Sequence, residues 1–221
     1  TLAFQKRVFL ELAGLMDAAG LTPDLQCGEF TWWYFTNWSQ NNPAGGMAYY
    51  DAATREAAET VLGRPLQAFT SPDDDPGVNG GADAGFLANR LRDYLASLIS
   101  EVRGAFPGAR FELLYPDDVN HPHPSGIHNL GGRMNRHVNL PVEWGTKVSA
   151  PFDRFKVEAL DYGAWSRDLD LAVQSLKLPL ELGWPTSAVR AMIPVFRGGY
   201  PWTREVEYAR TLGFECVSLW A

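Results

Sequence analysis

The sequence predicts an α/β fold built as a (β/α)8 TIM barrel, of which this chain covers about strands four to eight. Three observations carry that prediction. Short apolar runs alternate with amphipathic helical runs along the chain, a pattern that calls for parallel strands joined by helical crossovers. No Gly-rich phosphate-binding turn follows a strand, which argues against an open dinucleotide-binding sheet. The polar residues gather after strand ends and in the loops behind them, the rim where such barrels bind ligands.

The elements follow in order. Phe4, Val8, Leu12, Leu15 and Met16 recur at helical spacing and stop at Gly20, a common residue just past a helix end. After Pro23, the run Leu25 to Phe30 reads as a strand, leading into an aromatic and amide-rich loop through Tyr50. Asp51 can cap a helix that passes Ala57 and Val61 and ends near Gly63 and Pro65. Ser71 to Ala82 is dense in Asp, Pro, Gly and Asn and reads as a surface loop. From Asp83, the residues Phe86, Leu87, Leu91, Tyr94, Leu95, Leu98 and Val102 share one helix face, closed by Gly104 and Pro107.

Arg110 to Tyr115 is the next strand. A long segment, 116–151, then carries all four histidines with little periodicity and reads as a loop insertion. Phe155 to Leu160 is a strand, Asp168 to Leu178 a helix, Ala188 to Phe196 a strand, Thr203 to Leu212 a helix and Phe214 to Trp220 a final strand. The whole of 1–221 is thus expected to form a single partial barrel domain. The apolar run Cys216 to Trp220 has no helix after it, and parallel strands are normally covered on both faces. Further barrel strands outside this chain are the expectation, and poor solubility for the segment alone, because open strand edges invite pairing.

Composition removes several classes. With 46% hydrophobic and 20% charged residues in 221, the chain has the makeup of a folded domain. A net charge of -7 without a Lys/Arg cluster argues against nucleic acid as a partner. Every apolar run is broken before the ~20 residues that a membrane-spanning helix requires. Cys27 and Cys216 are too few for a disulfide scaffold, both read as buried strand thiols, and compartment stays open. His121, His123, His128 and His137 lack a tight metal-ligand spacing, so neither metal nor cofactor is expected.

The candidate chemistry lies at the strand ends. Glu29 closes the first strand beside Phe30, Trp32, Trp33, Tyr34 and Phe35, with Trp38, Tyr49 and Tyr50 beyond and Asn37, Gln40, Asn41 and Asn42 among them. Aromatic faces pack on pyranose rings, amides bond hydroxyls, and a partly desolvated carboxyl acquires the raised pKa of a general acid. Several of these rings could equally pack between loop and rim. Asp117 and Asp118 follow the strand ending in Tyr115 and Pro116, where a plain turn is the preferred reading over a site role. In the strand at Phe155, Lys156 and Glu158 share a face opposite Phe155, Val157 and Ala159, as Arg110 and Glu112 oppose Phe111, Leu113 and Tyr115. An inward Arg110/Glu112/Lys156/Glu158 charge network is one expectation. The other keeps Glu158, Asp161 or Asp118 as the second carboxylate that glycoside hydrolysis requires. Arg190, Arg197, Trp202 and Trp220 are placed near the last strand ends, where Trp220 could floor a sugar subsite or sit in the core.

With these residues assembled, the chain resembles the C-terminal half of the glycosidase superfamily of barrels, through Glu29 and through Ser218-Leu219-Trp220-Ala221. That resemblance implies an acid/base glutamate at Glu29. Gly28 stands where the large retaining clan has Asn, and Met192 to Arg197 lacks that clan's nucleophile glutamate. A further resemblance is to the barrel domain of non-contractile tail sheath proteins of phages and their bacterial relatives. It is carried by Gly28-Glu29 with Trp32-Trp33-Tyr34-Phe35, by 46–51, by Phe111 to Pro116 and by Phe155 to Glu158. It implies a glycosidase-like barrel with no established activity, a structural or glycan-contacting module; the residues themselves offer Trp32, Trp33, Tyr34, Asn37, Trp38, Tyr50, Tyr115 and Trp220 for saccharide contact. The alternative is a non-enzymatic structural barrel contacting other subunits of a tail-like assembly.

Overall fold

In the computed structural model, residues 1–28, 30–35, 46–47, 51–69, 71, 74–121, 132–163, 167–195 and 199–221 are described. Five strands form one sheet in the order β1 (Asp24–Gly28), β4 (Arg110–Pro116), β5 (Arg154–Glu158), β6 (Val189–Pro194), β7 (Cys216–Trp220). Every pairing is parallel and each strand neighbours the next in sequence, so the sheet is half of a (β/α) barrel. α1 (Leu2–Ala18) precedes β1, and the connections carry α2 (Ala52–Leu62), α3 (Gly81–Ala105), α4 (Arg133–Asn139), α5 (Leu169–Glu181) and α6 (Trp202–Thr211). A two-stranded antiparallel ribbon, β2 (Tyr34–Phe35) with β3 (Gly46–Met47), rises within the segment read as a loop.

Parallel register decides what each face holds, because paired residues project to the same side. Leu25 and Cys27, Phe111 and Leu113, Phe155 and Val157, and Ala191 and Ile193 share one face and are all buried. They pack with Leu91, Leu95, Leu98 and Val102 of α3 and Leu176 of α5 into the main core. Trp184 lies edge-on to Phe155 at 5.5 Å, and its indole Nε1 donates to the Trp144 carbonyl at 3.0 Å. Burial in this core pushes the Cys27 thiol up to about 12, leaving it inert, whereas Cys216 is exposed on the edge strand and departs from the buried thiol expected there.

The opposite face carries the charges, as the alternation in β4 and β5 predicts. Glu112 receives Lys156 Nζ at 2.5 Å and Arg190 Nη1 at 2.9 Å, one on each carboxylate oxygen. Arg190 Nε continues to Glu215 at 2.8 Å, Arg154 Nε reaches the same carboxylate at 2.9 Å, and Arg154 Nη1 reaches Asp24 at 2.9 Å. The membership differs from the expected quartet. Arg110 pairs with Asp24 at 3.2 Å rather than with Glu112, and Arg190 lies near the start of β6, so it serves the base of the sheet instead of a strand end.

Other departures have local causes. α1 packs through Leu2, Phe9, Leu10, Ala13 and Met16, so the Phe4, Val8, Leu12 and Leu15 stripe faces away from the core, with Phe4 61% and Leu15 68% exposed. Segment 116–151 is not all loop: α4 lies within it, and Met134 and Val138 join Phe69 and Leu87 in a second apolar cluster. The loop before α3 ends in a π-helical turn, Pro76–Gly80, begun by an Asp75 side chain that accepts from Gly77 N at 2.9 Å. α3 therefore starts at Gly81 rather than at Asp83. α5 runs through Pro179 to Glu181, because a proline this near the end removes a single backbone bond.

Candidate functional site

All five strands point the same way, so Pro116, Glu158, Pro194 and Trp220, each the last residue of its strand, share one rim. The turn after β4 is built around carboxylates. Asp117 N donates to the Glu158 carbonyl at 2.8 Å, stitching the ends of β4 and β5 together. Asp118 accepts from Val119 N at 2.9 Å and, with its other oxygen, from Asp161 N at 2.7 Å. Burial pushes the Asp118 carboxyl up to about 8: its bond from Asp161 N opposes this, while the charges of Asp161, Glu158 and Asp117 add to it. Asp117 is raised by burial as well, against its bond from Ser175 Oγ at 2.6 Å. Both aspartates are buried, so the Asp-Asp pair is turn chemistry and electrostatic device together.

The carboxylates named from sequence thus meet in part. Asp118, Glu158 and Asp161 gather at the ends of β4 and β5, with Glu158 on the charge-bearing face by its pairing with Pro116 and Met192. Asp161 is half-buried and Glu158 buried. Glu29 lies outside the described residues, as do Asn37, Trp38 and Tyr50. Tyr34 opens β2. Trp32 and Trp33 are half-buried and line a crevice with Val119 and Asn120, beside the aspartate turn.

A brace of asparagines places Trp32. Asn139 Oδ1 accepts from Trp32 N at 2.5 Å, and Asn139 Nδ2 donates to the Trp32 carbonyl at 3.1 Å and to Asn120 Oδ1 at 2.7 Å. Asn120 Nδ2 donates to the Pro116 carbonyl at 2.7 Å, and Asn135 Nδ2 to the Val119 carbonyl at 3.0 Å. The loop leaving β1 is thereby held to the end of β4. The Trp32 indole donates to the Leu87 carbonyl at 3.0 Å, which fixes its ring. Sequence reading missed Asn135 and Asn139, although their i, i+4 spacing puts two amides on one face of α4.

Two predicted contacts fall elsewhere. Tyr115 projects to the helix side of the sheet, 1% exposed, its ring 5.6 Å from Phe155, so it is a core residue and presents no face to a sugar. Trp220 keeps 46% of its surface and pairs with Pro194, on the charge-bearing face of the sheet. Arg197 and the histidines at 123 and 128 lie outside the described residues, and His121 sits edge-on to Tyr162 at 6.2 Å. Among the described residues, no group of three or more His, Cys, Asp and Glu side chains could hold a metal.

Across 99% of its length the chain superposes on the catalytic domain of β-amylase from Paenibacillus polymyxa, with TM-score 0.62 and 12% sequence identity. In fold it is a partial TIM barrel. The superposition takes in 62% of the β-amylase domain, so this chain corresponds to part of such a barrel. A looser superposition, TM-score 0.35 at 12% identity, covers 96% of the chain and 78% of the catalytic domain of a chitinase from Pyrococcus furiosus. Neither structure is a tail sheath protein. No protein-family model matches the chain, and no curated protein matches it in sequence. Among the described residues no helix is long and apolar enough to cross a membrane.

Proposed function

We propose that the chain is a glycoside-hydrolase-like barrel domain that recognises saccharide at its C-terminal rim and hydrolyses it, with Glu29 as general acid and Glu158 or Asp161 as second carboxylate. The observation that carries this reading is the convergence of Asp118, Glu158 and Asp161 at the adjoining ends of β4 and β5. In such a pair the acid protonates the departing glycosidic oxygen while the ionised partner attacks the anomeric carbon or activates water. Asp118 is better suited to support than to chemistry. It is buried, both oxygens accept backbone N–H groups, and it holds the Asp161 backbone in place. Trp32, held by Asn139, and Trp33, beside this turn, supply apolar faces for pyranose rings.

Release of reducing ends from soluble glucans and chitin oligomers tests the reading. Glu29→Gln and Glu158→Gln or Asp161→Asn should each lower the rate at least ~100-fold, the scale on which general acid–base groups act. Retained turnover in Glu29→Gln would sink the assignment. An inactive wild-type protein that still binds the glycans would leave a carbohydrate-binding barrel.

A further inference from the structure

A second cavity, of about 580 Å³, opens on the helix side of β1, between the start of α1, the first turn of α2, the middle of α3 and the residues leaving β1. Its size lies in the range of small-molecule sites. Phe30, Trp32 and Tyr94 form its aromatic lining. Phe30 and Tyr94 meet at 6.0 Å and 45°, the Tyr94 hydroxyl is anchored by donation to Gln5 Oε1, and the Trp32 indole is anchored on Leu87. These rings are therefore set before any ligand arrives, which lowers the entropy cost of binding.

The polar groups at the cavity are unevenly committed. Arg90 makes no side-chain hydrogen bond or ion pair with another described residue; against the cost of burial, Thr54 hydrogen bonds and, after them, the Arg90 charge hold the Asp51 carboxyl below its ordinary value. Asp93 uses Oδ1 toward Arg92 at 2.8 Å and keeps its second oxygen for other donors. The Thr31 hydroxyl oxygen is buried without a hydrogen-bond partner among the described residues. Ring faces beside an uncommitted donor and uncommitted acceptors match a molecule with apolar C–H faces and hydroxyl edges. One arginine against Asp51 and Asp93 gives no cationic field, so a phosphorylated or polyanionic ligand is disfavoured.

We propose that this cavity is an ancillary binding site for a neutral oligosaccharide, with a pyranose stacked on the aromatic lining and its hydroxyls shared by Arg90 and Asp93. The site is separate from the rim carboxylates. It would anchor one part of a glycan chain while another reaches the rim, raising the local concentration of the second segment.

Calorimetric titration of the whole chain with maltotriose, cellotriose and chitotriose tests it. Binding of at least one is expected, weakened about tenfold by Arg90→Ala and by Asp93→Ala, both outward-facing changes. Glu158→Gln should leave that affinity unchanged. No binding by any of the three overturns the proposal. So does binding that Glu158→Gln removes and Arg90→Ala does not, since the sugar then belongs to the rim. Binding sensitive to Arg90→Ala in a protein without hydrolytic activity sustains the ancillary site while the rim reading fails.

Discussion

The base and the rim of the same sheet face hold charge in opposite ways. At the base, Glu112 sits between Lys156 and Arg190, and Glu215 between Arg154 and Arg190, so each carboxylate has two cations. At the rim, Asp117, Asp118, Glu158 and Asp161 crowd together, and both burial and mutual repulsion raise Asp118. A paired interior charge holds a structure together, and removing one partner leaves the other stranded. Like charges held close and buried are less stable and move a carboxyl's titration toward neutral pH. The base is cross-linked by ion pairs, whereas the rim crowds like charges.

Breaking the base should cost most. Glu112→Gln leaves Lys156 and Arg190 without their shared anion, and urea denaturation should show a loss of about 3–5 kcal/mol. A loss under ~1 kcal/mol would mean the network is incidental.

The pH dependence separates the two ends next. On the rim side, burial pushes Glu205, which accepts from the Tyr200 hydroxyl at 2.7 Å, up to about 7. A carboxyl raised on folding contributes stability that is complete below its unfolded pKa and lost as pH rises through the folded value. Glu205 and Asp118 should therefore make the protein less stable as pH climbs from about 4 to about 8. Glu205→Gln should remove roughly 3 kcal/mol of that dependence, read as a flatter melting temperature against pH. At the base the sign reverses: despite the cost of burial, Arg190 and Arg154 hold the Glu215 carboxyl below its ordinary value, so its contribution fades as pH falls. Equal slopes in wild type and Glu205→Gln would erase the distinction.

Smaller effects sharpen the boundary. Asn139→Ala removes the brace between Trp32 and Asn120 and should cost about 1–3 kcal/mol, with weaker glycan affinity at the rim from the same variant. Leu15→Lys, on the uncovered face of α1, should change unfolding free energy by less than ~0.5 kcal/mol.

Much of the architecture was legible because it depends on local period. Alternation in Arg110 to Tyr115 and Phe155 to Glu158 foretold which side faces the helices, and the residues from Phe86 to Val102 foretold α3. Glu158, Asp161 and Asp118 could be placed at one rim from strand order alone. Tyr115 was offered as a sugar contact although its alternation with Phe111 and Leu113 already put it on the apolar side, and the structure places it in the core. The α1 stripe misled because helical period shows that a face is apolar and says nothing about what lies opposite it. Asn135 and Asn139 escaped notice because one i, i+4 amide pair is a weak signal in a segment without apolar periodicity.

From the sequence alone came the order of strands and helices, the parallel sheet, and the sorting of apolar and charged residues onto opposite faces, since these follow from backbone period and burial. Tertiary structure decided which charges pair, which aspartates are raised and which aromatic rings are anchored. Those outcomes depend on distances between residues far apart in the chain, such as Arg154 and Asp24, or Asn139 and Trp32, and distance is set by packing.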